Sequence, residues 1–174
     1  MPKIELAPVQ EIPREARPWL WWAQRAEDCR LAGMALPVAD HDFGRLAALG
    51  LDTVVSLIGR QDYDPAPLEL RTFELHDLAG GLLPADRVRE EAEVAAAVSA
   101  VCELLDQGHG VVVHCHAGVG RTGTVIASVL AARGHRPQDI VPWLDAVQRA
   151  RGARGWPESA WQLGQIDRFA RSAG

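Results

Sequence analysis

Residues 110–133 constrain this chain more than any other stretch. Residues 110–113 read Gly-Val-Val-Val, β-branched and apolar as in a buried strand. Thr124 to Arg133 is rich in Ala, Val, Ile and Leu and runs into Gly134, as a helix that stops on glycine does. Between them lies the run His114-Cys115-His116-Ala117-Gly118-Val119-Gly120-Arg121-Thr122-Gly123. It has to carry the chain from the end of a strand into a helix N-terminus through a tight loop.

A loop of that shape is an anion site. The successive N–H groups of residues 116–121, namely His116, Ala117, Gly118, Val119, Gly120 and Arg121, can curl around a tetrahedral oxyanion, and the free N–H groups of the helix start add partial positive charge. Gly118 and Gly120 allow backbone angles that a side chain forbids. Arg121 presents a planar fork able to hold two phosphate oxygens. Cys115 lies at the mouth of this positive cup, which favours its thiolate. Thr122 can donate its hydroxyl to that sulfur. A nucleophile fixed beneath a bound phosphorus suits covalent phosphoryl transfer.

The rest of the chain alternates strand and helix signals. Strands are expected at 31–36, 53–57, 70–75 and 110–114. A short helix is expected at 41–49, with Asp40 or Asp42 as cap, and longer helices at 84–105, 122–133, 137–149 and 157–171. This order predicts an α/β fold, a mostly parallel central sheet flanked by helices on both faces. Cys115 then falls at the carboxyl ends of the strands, where such sheets bind ligands. The expected domain organisation is residues 30–174 as a single domain, with residues 1–29 as an N-terminal segment packed on it. The cluster Trp19, Leu20, Trp21 and Trp22 reads as packing over the sheet edge.

With 174 residues the chain suits one domain with a full core. A net charge of −5 and no long basic run argue against nucleic acid and give no pull toward anionic membranes. Residues 1–10 lack an apolar core and no span of about twenty apolar residues exists, so the expected compartment is the cytoplasm. The odd cysteine count, Cys29, Cys102 and Cys115, suggests no disulfide framework. His114 and His116 flank Cys115, but no second cluster completes a metal site, and no metal is expected.

The run 114–122 resembles the Cys-x5-Arg-Thr signature of the protein tyrosine phosphatase superfamily, and the layout resembles its small dual-specificity-like members, including bacterial ones, over roughly residues 30–166. The resemblance implies a cysteine-dependent phosphatase that works through a phosphocysteine intermediate without a cofactor. It also implies a general acid on a neighbouring loop, an Asp a few residues before Gly and Pro. Asp77, ahead of Gly80, Gly81 and Pro84, fits this place, and Glu74 falls inside a strand pattern. Relatives carry an arginine and then a Glu and a Gln four residues apart near the C-terminus. Glu158 and Gln162 keep that spacing, either Arg151 or Arg154 stands for the arginine, and Gln162 is expected to orient the hydrolytic water. His114 is expected to support Cys115 by hydrogen bonding. Some relatives carry a protecting cysteine at the strand here reading Val-Val-Ser-Leu-Ile (54–58), which has none; sequence cannot place Cys29 or Cys102 in that role. The expected substrate is a phosphorylated protein, by phosphotyrosine or phosphoserine/threonine, or a small phosphoester. Two alternatives stand beside it: a phosphoinositide or other non-protein phosphatase, and a phosphate-binding pseudophosphatase module.

Overall fold

The structure is a computed structural model, and it describes residues 6–9 and 20–172. In chain order the elements are β1 (Leu20–Ala26), β2 (Cys29–Met34), α1 (Phe43–Ala48), β3 (Thr53–Ser56) and β4 (Glu69–Thr72). A 3-10 turn (Ala79–Gly81), α2 (Arg87–Asp106), β5 (Gly110–His114), α3 (Gly120–Ala132), α4 (Pro137–Ala150) and α5 (Ala160–Ser172) follow. One five-stranded sheet runs in the order β1-β2-β5-β3-β4. Three of its pairings, β2 with β5, β5 with β3 and β3 with β4, are parallel; β1 joins the edge antiparallel to β2.

The alternation along the central strand shows why both faces are covered. Val111 and Val113 face a core shared with α2, α3, α4 and α5, while Val112 faces a second core built on Phe43 and Leu46 of α1, Tyr63 and Leu68. Every residue of β5 is buried, as expected of a parallel strand between two helical layers. α3 runs through the larger core and is buried on nearly all sides, from Gly120 to Ala131, which fits its run of small and aliphatic residues from Val125 to Ala132. Full burial of each such aliphatic side chain contributes roughly 1.5–3 kcal/mol.

The expected fold class matches, and most elements fall within a few residues of their expected places. The expected strand at 70–75 is β4, which ends at Thr72. α2 begins at Arg87 rather than near Pro84, because Asp86 caps it by accepting from Arg89 N at 3.0 Å. α5 begins at Ala160 rather than Pro157. The strand β1 was not expected. Residues 20–26 are part of the sheet itself, so a domain start at residue 30 falls inside β2. Trp21 is buried and Trp22 half-buried with Arg25 5.1 Å from its ring, whereas Trp19 lies outside the described residues. Among the described residues no helix is long and apolar enough to cross a membrane.

At Gly110, where β5 begins, an added Cβ would run into the backbone of Gly50 and Leu51. At Gly164, on the exposed face of α5, nothing lies within 4 Å. Gly110→Ala is expected to destabilise the protein by at least about 2 kcal/mol, since backbone atoms must move. Gly164→Ala is expected to stabilise it by about 0.5–1 kcal/mol through helix propensity. Chemical denaturation of both variants checks the opposite signs.

Candidate active site

The parallel strands end together, and Cys115 follows the central one directly. From there the chain turns through residues 116–119 and enters α3 at Gly120, with no side chain capping the helix start. The open N–H groups of the first helical turn therefore face the same loop.

The orientation of the loop is set from outside. Each carbonyl from His114 to Gly120 accepts a hydrogen bond. His114 O accepts from Leu57 N at 3.0 Å, His116 O from Leu36 N at 2.9 Å and Val119 O from Gly123 N at 2.8 Å. Cys115 O accepts from His114 Nδ1 at 3.1 Å. Ala117 O accepts from Arg151 Nη2 at 3.4 Å. Three donors converge on Gly118 O: Trp21 Nε1 at 3.3 Å, Gln148 Nε2 at 3.4 Å and Arg151 Nη1 at 3.0 Å. Gly120 O accepts from Thr124 Oγ1 at 2.9 Å and Trp156 Nε1 at 3.3 Å. In a planar trans peptide the C=O and the following N–H point in opposite directions. Carbonyls turned outward therefore turn the N–H groups of residues 116–119 inward. Gly118 has φ +68, and a Cβ there would strike Met34 O, so the close approach to β2 requires glycine.

His114 is fully buried and held at both nitrogens. Cys115 O can only accept, so Nδ1 carries the hydrogen; Nε2 then takes the Tyr63 hydroxyl at 2.6 Å. Burial pulls the His114 pKa down to about 4 and pushes Tyr63 up to about 12. The imidazole is neutral and the phenol protonated near neutral pH, the forms this chain of bonds needs. Phe43 of α1 stacks on Tyr63 with ring centres 5.3 Å apart.

Arg121 lies at the mouth. Its Nη2 meets Asp77 Oδ2 at 3.1 Å and its Nη1 reaches Leu75 O at 3.4 Å. Asp77 is mostly exposed (59%), and its Oδ1 accepts from Ala79 N at 3.1 Å. It is both a turn residue and a partner of Arg121. Glu74, the other carboxylate near this loop, is exposed and bridges Ile58 instead. Two further carboxylates stand near. Glu90 is buried, and its pKa is raised by burial, against the pull of the His76 amide and the Arg121 charge. Glu158 is raised by burial and by Asp77, again opposed by Arg121.

The remaining expected residues divide. Gln162 is buried beside the loop, with Nε2 3.3 Å from where a Gly120 Cβ would lie. Its Oε1 accepts from Glu158 N at 2.7 Å and Ser159 N at 3.2 Å, while Nε2 has no partner among the described residues. His116 and Ala117 are exposed; Gly118, Val119 and Gly120 are buried. The expected bond from Thr122 to Cys115 is not formed: Thr122 is the third residue of the α3 helix, and its Oγ1 is buried there without a partner. Of the two candidate arginines, Arg151 contacts the loop. Its pKa falls to about 10 through burial, against the charge of Cys115. Sequence reasoning did not single out Trp21, Tyr63, Glu90 or Gln148. Only Trp21 carried a signal, as part of the tryptophan cluster read as packing over the sheet edge.

Comparisons with known proteins agree with this fold. The family described as Swiss Army Knife protein, DSP-PTPase phosphatase domain (PTP-SAK), matches residues 23–165. No curated protein matches the chain. Among solved structures, P. aeruginosa TpbA in complex with phosphotyrosine is 22% identical, covers 94% of each chain and superposes with a TM-score of 0.61. PTPMT1 in complex with PI(5)P is 18% identical, covers 90% of this chain and 97% of its own, with a TM-score of 0.62. Tk-PTP in its active form is 21% identical over 84% of this chain and 95% of its own, with a TM-score of 0.59.

The His114 environment has a consequence for acid stability. A native pKa of about 4, below the ordinary histidine value of 6.5, means the unfolded chain binds the proton first as pH falls. The stabilisation is complete above pH 6.5 and is lost between there and about pH 4, on the order of 3 kcal/mol in all. Urea unfolding at pH 7 and pH 4.5, compared between wild type and His114→Gln, is expected to show a shallower loss in the variant. An equal loss in both contradicts the assignment.

Proposed function

The chain belongs to the DSP-PTPase phosphatase domain family, and from that premise we propose that it hydrolyses phosphomonoesters, phosphotyrosine foremost, with Cys115 as nucleophile and Asp77 as general acid. The family is one of cysteine-based phosphatases, and its reaction passes through phosphocysteine. The observation that carries the residue assignment is the 3.1 Å pair of Asp77 with Arg121 at the mouth of the Cys115 loop. It sets an acid beside the group that binds phosphate.

The thiolate of Cys115 attacks phosphorus. An S–P bond forms as the bond to the ester oxygen breaks, and Asp77 in its acid form gives that oxygen its proton. The Arg121 fork and the inward amides of residues 116–121 hold the equatorial oxygens. In the second half, a water oxygen bonds to phosphorus while the Asp77 carboxylate takes its proton. The S–P bond breaks, and phosphate and thiolate are released. Thr122 Oγ1, a buried donor without another partner, serves the departing sulfur. Gln162 Nε2, equally unpaired, orients the water.

Charge favours an ester with one phosphate. Arg121 is the one cation within the loop, and Asp77, Glu90 and Glu158 all act on it or are acted on by it. Further phosphates on a substrate, as on a polyphosphorylated inositol, meet carboxylates there. A phosphotyrosine complex of the TpbA relative supports the aryl ester. The substrate is then a phosphorylated protein or a small phosphoester. We read the catalytic domain as beginning at β1 rather than at residue 30, since β1 is a strand of its sheet. A cytoplasmic setting suits a catalytic thiolate, since thiols stay reduced there, and Cys29, Cys102 and Cys115 are free.

The test is p-nitrophenyl phosphate hydrolysis with EDTA present. Wild type is expected to turn over, Cys115→Ser to be inactive, and Asp77→Asn to lose about 10²–10⁴-fold in kcat. Folded wild type without turnover on aryl phosphates or phosphotyrosine peptides would reduce the loop to a phosphate-binding module.

A further inference from the structure

Glu90 is the fourth residue of α2 and 2% exposed. A carboxylate buried this way is costly unless it is paired, and it stands among apolar neighbours on the buried face of α2, Val94, Ala97, Val98 and Val101. Its partners lie fourteen residues back. Oε1 and Oε2 accept from the His76 backbone N–H at 3.0 and 3.2 Å, and Oε2 stands 3.6 Å from His76 Nδ1.

That N–H belongs to the residue immediately before Asp77. The Asp77 side chain is 59% exposed and is held at its two oxygens by Arg121 Nη2 and Ala79 N. Its place depends on where its own backbone stands. Upstream, Leu75 N is tied to Leu57 O at 3.0 Å; Leu75 O is tied to Arg121. The next backbone tie before Asp77 is the one Glu90 makes. Burial, the His76 amide, Glu93 and Arg121 all bear on the Glu90 carboxylate, so it sits in the electrostatic field of the site.

Resting on the assignment of Asp77 as general acid, we propose that Glu90 is a positioning residue: its buried carboxylate grips the His76 N–H and so fixes Asp77 over Arg121. The residue acts through Asp77 and does not touch substrate. Loss of the grip leaves Cys115, Arg121 and the loop amides in place but lets the acid wander, a failure that matters most where the leaving oxygen most needs a proton.

The experiment measures kcat over a series of aryl phosphates with increasingly basic phenol leaving groups, for wild type, Glu90→Leu, Glu90→Gln, Asp77→Asn and the Glu90→Leu/Asp77→Asn double variant. Thermal unfolding accompanies each. Glu90→Leu is expected to lose roughly 10–100-fold on the most basic leaving group, part of the usual acid-catalysis factor, and little on the most acidic one. Glu90→Gln keeps an oxygen acceptor for the same bond and is expected to retain most activity. In the Asp77→Asn background, Glu90→Leu is expected to add nothing. Should Glu90→Leu not fold, Glu90→Ala takes its place. A loss independent of the leaving group, a further loss in the Asp77→Asn background, or a Glu90→Gln enzyme as poor as Glu90→Leu overturns the proposal. An Asp77→Asn enzyme with unchanged leaving-group dependence instead overturns the assignment of Asp77 itself, and this proposal with it, so the two failures are told apart.

Discussion

The hydrogen bonds on the outside of the 114–120 loop are the constraint on which the site depends. A run of peptides can present its N–H groups to an anion only if its carbonyls are satisfied elsewhere, since buried carbonyls without donors are costly. Here the donors come from all around the molecule: Trp21 on β1, Leu36 after β2, Leu57 after β3, Gln148 in α4, Arg151 just beyond it, and Trp156. This gives the edge strand and the C-terminal third of the chain a functional reason. They form the outer wall against which the loop is folded. Met34 O against Gly118 completes that wall so closely that no Cβ fits there, and the Glu158 carboxylate stands against Gly120.

The second constraint is charge. Arg121 is nearly buried and shared between Asp77 and the Leu75 carbonyl. A bound phosphate competes for the same fork, and its two oxygens suit the planar guanidinium better than one carboxylate oxygen and a long carbonyl bond do. In the proposed reaction this competition leaves the Asp77 carboxyl beside the ester oxygen that needs a proton. The neutral His114, fixed between Tyr63 and Cys115 O, adds no charge of its own. The positive potential of the cup arises from backbone dipoles and one arginine, with Arg151 behind.

What was legible in the sequence was local. The strand, loop and helix from Gly110 to Ala132 were readable because β-branched residues, glycines and an aliphatic helix follow one another without a gap. Asp77 was readable because Gly80, Gly81 and Pro84 mark its loop. The unread parts are distant in sequence. Trp21 lies 97 residues from Gly118, and Tyr63 lies 51 from His114; no periodicity links such positions. β1 escaped notice because its register slips between Trp22 and Gln24, which breaks the alternation, and because it buries a glutamine. Gln24 is satisfied there by Cys29 Sγ at 3.1 Å and His135 at 3.3 Å. Glu90 looked like one acid among several on a helix start, where carboxylates commonly sit in solvent; only the fold shows that it points inward.

The central claim is that phosphorus is transferred to the Cys115 sulfur. Rapid denaturing quench of a turning-over reaction with a phosphate-labelled aryl ester, followed by peptide mass mapping, tests it most directly. The account predicts a phosphate adduct on the peptide carrying Cys115, held by an S–P bond that survives alkali, and none in Cys115→Ser. An adduct on another residue, or turnover with no dependence on Cys115, would contradict it.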